Sequence, residues 1–186
     1  MLYITLNRPG VRNALNSAMR DQFVDALSLP AVDHTLAEVH LSGAGGGFCA
    51  GGDLDEFGSF LDPASAHLVR LQQSVGRAIA LVADQVTAHL HGACMGSGIE
   101  LAAFAQRVVA DPSTRISLPE VSLGLVPGAG GTVSLPRRIG RGRTARLALT
   151  GEHIDANTAW DWALVDAIED RPFSEARRQG EPDEPR

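Results

Sequence analysis

Two glutamates, Glu100 and Glu120, are the side chains of this sequence best suited to transferring protons. Each lies among apolar residues, in the sequences Ile-Glu-Leu and Pro-Glu-Val, so partial burial is expected. Burial disfavours the charged form of a carboxyl group and raises its pKa, which suits an acid or base that works near neutral pH. Taken alone, the pattern favours a plainer alternative, in which both glutamates face solvent or cap local backbone.

Two glycine-rich turns could supply a second kind of chemistry. They lie at residues 50–53 (AGGD) and 92–98 (GACMGSG), and each follows a predicted strand and precedes a predicted helix. Such turns leave backbone amides without acceptors, and the start of a helix adds partial positive charge at the same point. Two converging amides of this kind form an oxyanion hole. Either turn alone is more often an ordinary connection.

Hydrophobic periodicity predicts the elements that must position these groups. Strands are predicted at residues 2–6, 38–42, 86–91, 107–110 and 115–118. Helices are predicted from a cap at Asn16 or Ser17 to a stop at Pro30, from Asp62 and Pro63 along an apolar stripe to Val82, near Gly98, and at residues 141–149 and 155–162. Residues 164–168 form a short apolar run. Because strands and helices alternate, the predicted class is α/β.

Length and composition predict one domain. A chain of 186 residues with 44% hydrophobic and 20% charged residues can bury a single core. We expect this core domain to span residues 1–168. Residues 169–186 are charged and interrupted by prolines, which predicts a flexible tail.

Charge and residue usage exclude several classes of function. The net charge is −6 and no basic run is interleaved with aromatic residues, which argues against nucleic acid as a partner. All 16 basic residues are arginines, so Schiff-base chemistry and a P-loop lysine are excluded. No apolar run is long enough to span a bilayer, and the amino terminus lacks a secretory signal, so a cytoplasmic location without membrane association is expected.

The cysteines and histidines do not predict a further site. Cys49 and Cys94 lie beside the two glycine-rich turns and are expected to be reduced, buried thiols and not a disulfide. His91 precedes the second turn and is expected to be structural. No His, Cys and Asp spacing predicts a metal ligand set, so no metal is expected.

Four ordered groups of motifs give the sequence a resemblance to the crotonase superfamily, the enoyl-CoA hydratase/isomerase family. The resemblance covers nearly the whole chain. The motifs are LNRP and NAL at residues 6–9 and 13–15, FCAGGDL at 48–54 with HGA and GSGIEL at 91–93 and 96–101, LPE, GLVP and GAGGT between 118 and 132, and LTG at 149–151 with the following apolar positions to Val165. The resemblance implies a spiral of ββα units that forms two roughly perpendicular sheets wrapped by helices.

The resemblance also implies a reaction and the residues that perform it. The amides of Gly52 and Ser97 would hold the thioester oxygen while an enolate forms. Glu100 would deprotonate water and Glu120 would exchange a proton at the α-carbon. Retention of both acids favours an enoyl-CoA hydratase over an isomerase or another enolate reaction. No cofactor is implied, because coenzyme A is part of the substrate.

Coenzyme A is expected along the opening motif and the first turn. Arg12 is the preferred basic side chain near its phosphates, and Arg8 is a weaker candidate that could simply be solvated. The expected contacts with the CoA thioester are completed by Ala50, Gly52, Asp53, Leu54, Ser97 and Gly128. Asp53 is expected to brace its own turn. For residues 128–131, a tight turn and a loop beneath the acyl chain are equally supported.

The sequence departs from the family pattern in two respects. Ser97 stands where the family usually has glycine, which keeps the amide but adds a hydroxyl to the turn. The resemblance begins at the family's second strand and stops before its carboxy-terminal helices, which normally complete the acyl pocket and help to build homotrimers or hexamers. An open pocket, altered assembly, or a non-catalytic acyl-CoA-binding subunit are therefore further alternatives.

Overall fold

Two β-sheets organise the fold, and successive strands along the chain mostly alternate between them. A computed structural model describes residues 1–33, 35–56 and 73–170. The first sheet has five parallel strands in the order β1 (Leu2–Leu6), β2 (Val39–Gly43), β4 (Val86–Leu90), β6 (Arg107–Ala110) and β9 (Ala167–Ile168).

The second sheet is smaller and carries the turns of interest. It contains β3 (Gly47–Cys49), β5 (Ala93–Met95), β7 (Arg115–Ser117) and β8 (Ile154–Asp155), in that order. The first three strands are parallel and β8 is antiparallel to β7. Because β2, β4 and β6 are each followed by a strand of this second sheet, the ββα repeat implied by the resemblance is confirmed.

Five helices pack on the sheets among the described residues: α1 (Ser17–Val32), α2 (Val75–Leu81), α3 (Ser97–Ala102), α4 (Gly131–Thr150) and α5 (Ala156–Asp161). All five contribute to one buried cluster with both sheets, and Phe48, Ile79, Ile99 and Leu135 are among its fully buried side chains. The predicted α/β class is therefore confirmed.

The start of α1 follows the prediction, but its end does not. Asn16 caps the helix by accepting a hydrogen bond from the amide of Met19 at 2.9 Å. The predicted stop at Pro30 is wrong, because the helix continues to Val32 with the proline inside it. Proline removes one donor from a helix, but the amide of Asp33 still reaches the carbonyl of Leu29 at 2.8 Å and closes a further turn.

Helix α4 is two helical segments separated at Gly140. The backbone at Gly140 has φ 79° and ψ 162°, which is not helical. The sequence predicted only the second segment, because the first begins among glycines at Gly131 and carries Pro136, both poor signals for a helix.

Most of the remaining predicted strands and helices are confirmed, but some short strands were not predicted. The five predicted strands are confirmed to within one or two residues at each end, and Asp155 caps α5 as its position suggests. The turn predicted at residues 92–98 contains strand β5, and β3 and β8 were not predicted, because β3 follows a glycine-rich run and β8 has only two residues. The helix start at Asp62 and Pro63 and nearly all of the predicted tail lie outside the described residues. No helix in the described ranges is long and apolar enough to cross a membrane.

Candidate active site

The parallel strands β3, β5 and β7 bring three of the predicted site residues to one edge of the second sheet. Cys49 of β3 is in register with Cys94 of β5, and Met95 of β5 with Ser117 of β7. The carboxyl ends of parallel strands meet at the same edge, so the segments that follow them begin side by side. Those segments carry Gly52, Ser97 and Glu120 respectively.

The two glycine-rich turns touch each other where glycine alone fits. A Cβ atom on Gly98 would lie 2.7 Å from the carbonyl oxygen of Cys49 and 3.0 Å from its Cβ atom. Gly51 has φ +108° and faces the carbonyl oxygen of Met95. Glycine at these two positions therefore lets the backbones of the two turns pack directly against each other.

No hydrogen bond from the amides of Gly52 and Ser97 to a protein acceptor is found among the described residues, and the amides of Gly51 and Gly98 are in the same position. Their neighbours are engaged: the amide of Ala50 donates to Arg12, that of Asp53 to Leu15 and that of Gly96 to Ser117, at 2.9 to 3.0 Å. The amide of Ser97 also lies at the first residue of α3, where helical amides lack intrahelical acceptors.

Glu100 is a buried acid held by the loop that precedes α4. Its side chain is about 1% exposed. Its Oε2 atom accepts hydrogen bonds from the amides of Ala129 at 2.8 Å and Gly131 at 2.7 Å. Burial raises the pKa of Glu100 to about 7, the amide of Gly131 opposes the rise, and the charge of Glu120 adds to it. Two backbone amides of the same loop therefore hold the Oε2 atom of Glu100 in place.

Glu120 lies half-buried in a single 3-10 turn, Pro119–Leu123, directly after β7. Its Oε1 atom packs against Gly96, where a Cβ atom would approach it to 2.5 Å. Its Oε2 atom is buried and has no hydrogen-bond partner within the described part of the chain. Burial raises the pKa of Glu120. The charge of Glu120 acts on Glu100, so the two glutamates are near each other, and their roles stay predictions.

Asn13 fixes the opening motif to the first turn, a role that the sequence did not reveal. It is fully buried, with φ +58°, and its amide group donates to the carbonyls of Ala44, Gly47 and Phe48. Its Oδ1 atom accepts from the amide of Arg8 at 2.8 Å. A signal was available, because asparagine tolerates positive φ and its short amide bonds local backbone.

The two arginines of the opening motif, Arg8 and Arg12, differ in their contacts. Arg8 forms an ion pair with Asp53 at 2.7 Å and donates to the carbonyl of Ala14, so the interpretation of Arg8 as a solvated side chain is wrong. The same ion pair lowers the pKa of Asp53, which supports bracing as the role of Asp53. Arg12 is exposed beside the first turn, as a side chain that meets phosphate must be, and Leu54 is also exposed.

Residues 128–131 form a turn that holds Glu100. A Cβ atom on Gly131 would lie 2.5 Å from Cγ of Glu100, and Gly130 has φ +109°. These contacts support the tight-turn alternative, while Gly128 itself is exposed and stays a predicted substrate contact.

The thiols and His91 lie where structural residues are expected. Cys49 and Cys94 are free and buried, and burial raises the pKa of Cys49 to about 11. His91 bonds the carbonyl of Gly45 through Nε2 at 2.9 Å. No group of three or more His, Cys, Asp or Glu side chains in the described ranges is arranged to hold a metal ion.

Known proteins are similar to this chain in both architecture and sequence. The sequence profile of the enoyl-CoA hydratase/isomerase family matches residues 1–176. An enoyl-CoA hydratase from Thermoplasma volcanium superposes with a TM-score of 0.84 at 37% identity, covering 96% of this chain and 70% of that one. The fold and site define a crotonase-type protein. The chain belongs to the enoyl-CoA hydratase/isomerase family.

Relatives with named activities differ in the reaction that they catalyse. The chain is 35% identical over 168 residues to 2,3-dehydroadipyl-CoA hydratase of Escherichia coli, covering 90% of this chain and 65% of that protein. It is 32% identical over 186 residues to 1,2-epoxyphenylacetyl-CoA isomerase of the same species, covering 96% and 70%. The chain thus spans about two thirds of the length of these relatives.

Proposed function

We propose that this protein hydrates a 2-enoyl-CoA thioester to a 3-hydroxyacyl-CoA. The observation that carries the proposal is the pair of acids, Glu100 buried and Glu120 half-buried, beside the amides of Gly52 and Ser97, for which the described residues supply no acceptor. Hydration needs one group to take a proton from water and another to give a proton to carbon. A pair of acids with raised pKa values can perform both steps near neutral pH.

In the proposed reaction the thioester oxygen accepts hydrogen bonds from the amides of Gly52 and Ser97. These bonds strengthen as negative charge develops on the oxygen, so they stabilise the enolate more than the substrate. Glu100 takes a proton from water through Oε1, and the hydroxyl forms a bond with the β-carbon. Glu120 delivers a proton to the α-carbon, which restores the thioester. A proton transfer from Glu100 to Glu120, directly or through water, then restores both acids to their starting protonation states.

Loss of the absorbance of crotonyl-CoA at its conjugated thioester tests this proposal. We expect purified protein to remove the absorbance and Glu120→Gln to lower the rate by roughly 10²–10⁴, with acyl-CoA affinity changed by less than about tenfold. Glu169→Gln is the matched control, because Glu169 is an exposed acid paired with Arg107 at 3.2 Å. Wild-type turnover in Glu120→Gln would contradict the proposed role.

Isomerisation of a double bond is the second candidate. It is motivated by the isomerase among the relatives and by the same enolate chemistry at the same amides. Product analysis in H₂¹⁸O separates the two reactions, because hydration adds one labelled oxygen and isomerisation adds none. Binding of acyl-CoA without either product at high protein concentration would instead support a binding subunit.

Association into homotrimers or hexamers and a cytoplasmic location stay predictions. Association is supported by exposed apolar side chains on the segment that carries Glu120, namely Val121, Leu123, Leu125 and Val126. Light scattering of the purified protein measures the mass of the assembly.

A further inference from the structure

We propose that Ser134 is a positioning residue for Glu100. This inference rests on the proposed function, in which Glu100 is the acid that acts on water. Ser134 lies in the first turn of α4 and is about 1% exposed. Its hydroxyl donates a hydrogen bond of 2.7 Å to the main-chain carbonyl oxygen of Glu100.

The carbonyl of Glu100 needs this donor because α3 ends one turn later. In a continuing α-helix the amide of Phe104 would bond Glu100. Instead, Phe104 donates to Leu101 and Ala105 donates to Ala102, at 3.0 to 3.1 Å, in the tighter pattern of a 3-10 turn. The carbonyl of Glu100 therefore accepts no hydrogen bond from the amide of Phe104. A buried carbonyl without a donor lowers the stability of the fold.

Ser134 therefore completes a three-point attachment of Glu100 to one segment. The amides of Ala129 and Gly131 hold its carboxylate, and the hydroxyl of Ser134 holds its backbone. Because all three donors lie within six residues, movement of α3 against α4 would change the carboxylate geometry directly. The bond from Ser134 fixes that relative position, and with it the direction of Oε1.

The bond also bears on the protonation of Glu100. The amides of Gly131 and Ala129 lower its pKa, while burial and the charge of Glu120 raise it. If the attachment loosens, the hydrogen bonds from these two amides weaken and the pKa of Glu100 rises further. The neighbouring Cys49 and Cys94 on β3 and β5 are buried, and burial keeps their thiols neutral across this pH range.

Thr144 offers a matched control in the same element. It is buried to a similar extent, and its hydroxyl donates to a main-chain carbonyl, that of Gly140, at 2.9 Å. It lies in the second segment of α4 and does not bond α3. Thr144→Ala thus removes a comparable hydrogen bond without touching Glu100.

The decisive measurement is the titration of the Glu100 carboxyl by ¹³C NMR, assigned with Glu100→Gln, in wild type, Ser134→Ala, Ser134→Thr and Thr144→Ala. We expect the midpoint to move upward in Ser134→Ala and to stay at the wild-type value in Thr144→Ala. Ser134→Thr keeps the hydroxyl and should show the wild-type midpoint. Should Ser134→Ala fail to fold, Ser134→Cys places a larger and weaker donor at the same position and should show the same direction of change.

Turnover provides the second readout. We expect kcat to fall by roughly 10- to 100-fold in Ser134→Ala with KM within about threefold, since the loss is of geometry at the acid and not of binding. An unchanged Glu100 midpoint and unchanged kcat in Ser134→Ala would overturn the proposal. Absence of turnover in wild type would overturn the proposed function instead, while the NMR titration would still decide the role of Ser134.

Discussion

Opposing effects bring the pKa of the Glu100 side chain close to neutral pH. Its burial favours the uncharged form, whereas the amides of Ala129 and Gly131 favour the carboxylate. Without the amides the group would stay protonated and could not accept a proton from water. Without the burial it would be too weak a base at pH 7. The balance between these effects is the property that makes Glu100 a candidate for the proposed proton transfer from water.

This balance predicts how stability depends on pH. The pKa of Glu100 in the folded protein is about 7, above the unfolded value of about 4.3. A raised pKa stabilises the fold fully below the unfolded value, and that contribution is lost as pH rises through about 7. Relative to Glu100→Gln, wild type should therefore lose on the order of 3 kcal/mol of unfolding free energy between pH 5 and pH 8.

Urea unfolding of both proteins at the two pH values measures this difference. The comparison cancels the titration of all other groups, and Glu169→Gln shows what an exposed glutamate contributes. An equal difference between wild type and Glu100→Gln at pH 5 and pH 8 would show that burial does not raise the pKa of Glu100.

At the scale of elements, the contact between α3 and β3 sets the distance between the amides of Gly52 and Ser97. Gly98 of α3 lies directly on the carbonyl of Cys49 at the end of β3. Any side chain at position 98 must push the helix away from the strand. The amide of Ser97 moves with the helix, and the amide of Gly52 stays with the strand.

Gly98→Ala should therefore lower kcat/KM by roughly 10²–10³, the cost of losing one donor to the thioester oxygen. Gly142→Ala is the matched control, because a Cβ atom there meets nothing within 4 Å. We expect the control to keep wild-type turnover and to gain about 0.5–1 kcal/mol in unfolding free energy, as alanine replaces glycine in a helix. Crotonyl-CoA kinetics measure the turnover of both variants, and urea unfolding measures the stability of Gly142→Ala. Wild-type activity in Gly98→Ala would contradict the role of the contact.

The elements also show which parts of the structure a sequence can predict. Strands β1, β2, β4 and β6 carry apolar residues over four or five positions, enough for a pattern, whereas β3, β5 and β8 do not. The motifs predicted Gly52, Ser97, Glu100 and Glu120, and the structure brings these residues together, although their roles stay predictions. The contacts of Asn13 and Ser134 were not predicted, because each joins segments about 30 residues apart and depends on the completed fold.

At the scale of the whole molecule, both sheets and all described helices share one buried cluster. Residues 1–168 should therefore unfold in a single cooperative transition, as single domains of this size usually do. Circular dichroism reports every helix and strand, whereas tryptophan fluorescence reports only the region of α5, because Trp160 and Trp162 are the two tryptophans. We expect the two denaturation curves to coincide. A separate, earlier fluorescence transition would show that the α5 region is an independent unit.

The break at Gly140 divides α4 into a half that contacts Glu100 and a half that carries an exposed basic face. The first half carries Gly131 and Ser134, which hold Glu100. The second carries Arg141, Arg143 and Arg146, all exposed. Because the helical axis is interrupted between them, we expect changes in the second half to leave the first in place. Natural selection could then remodel the charge of this surface, and with it the molecules that the protein meets, without disturbing Glu100, the acid of the proposed reaction.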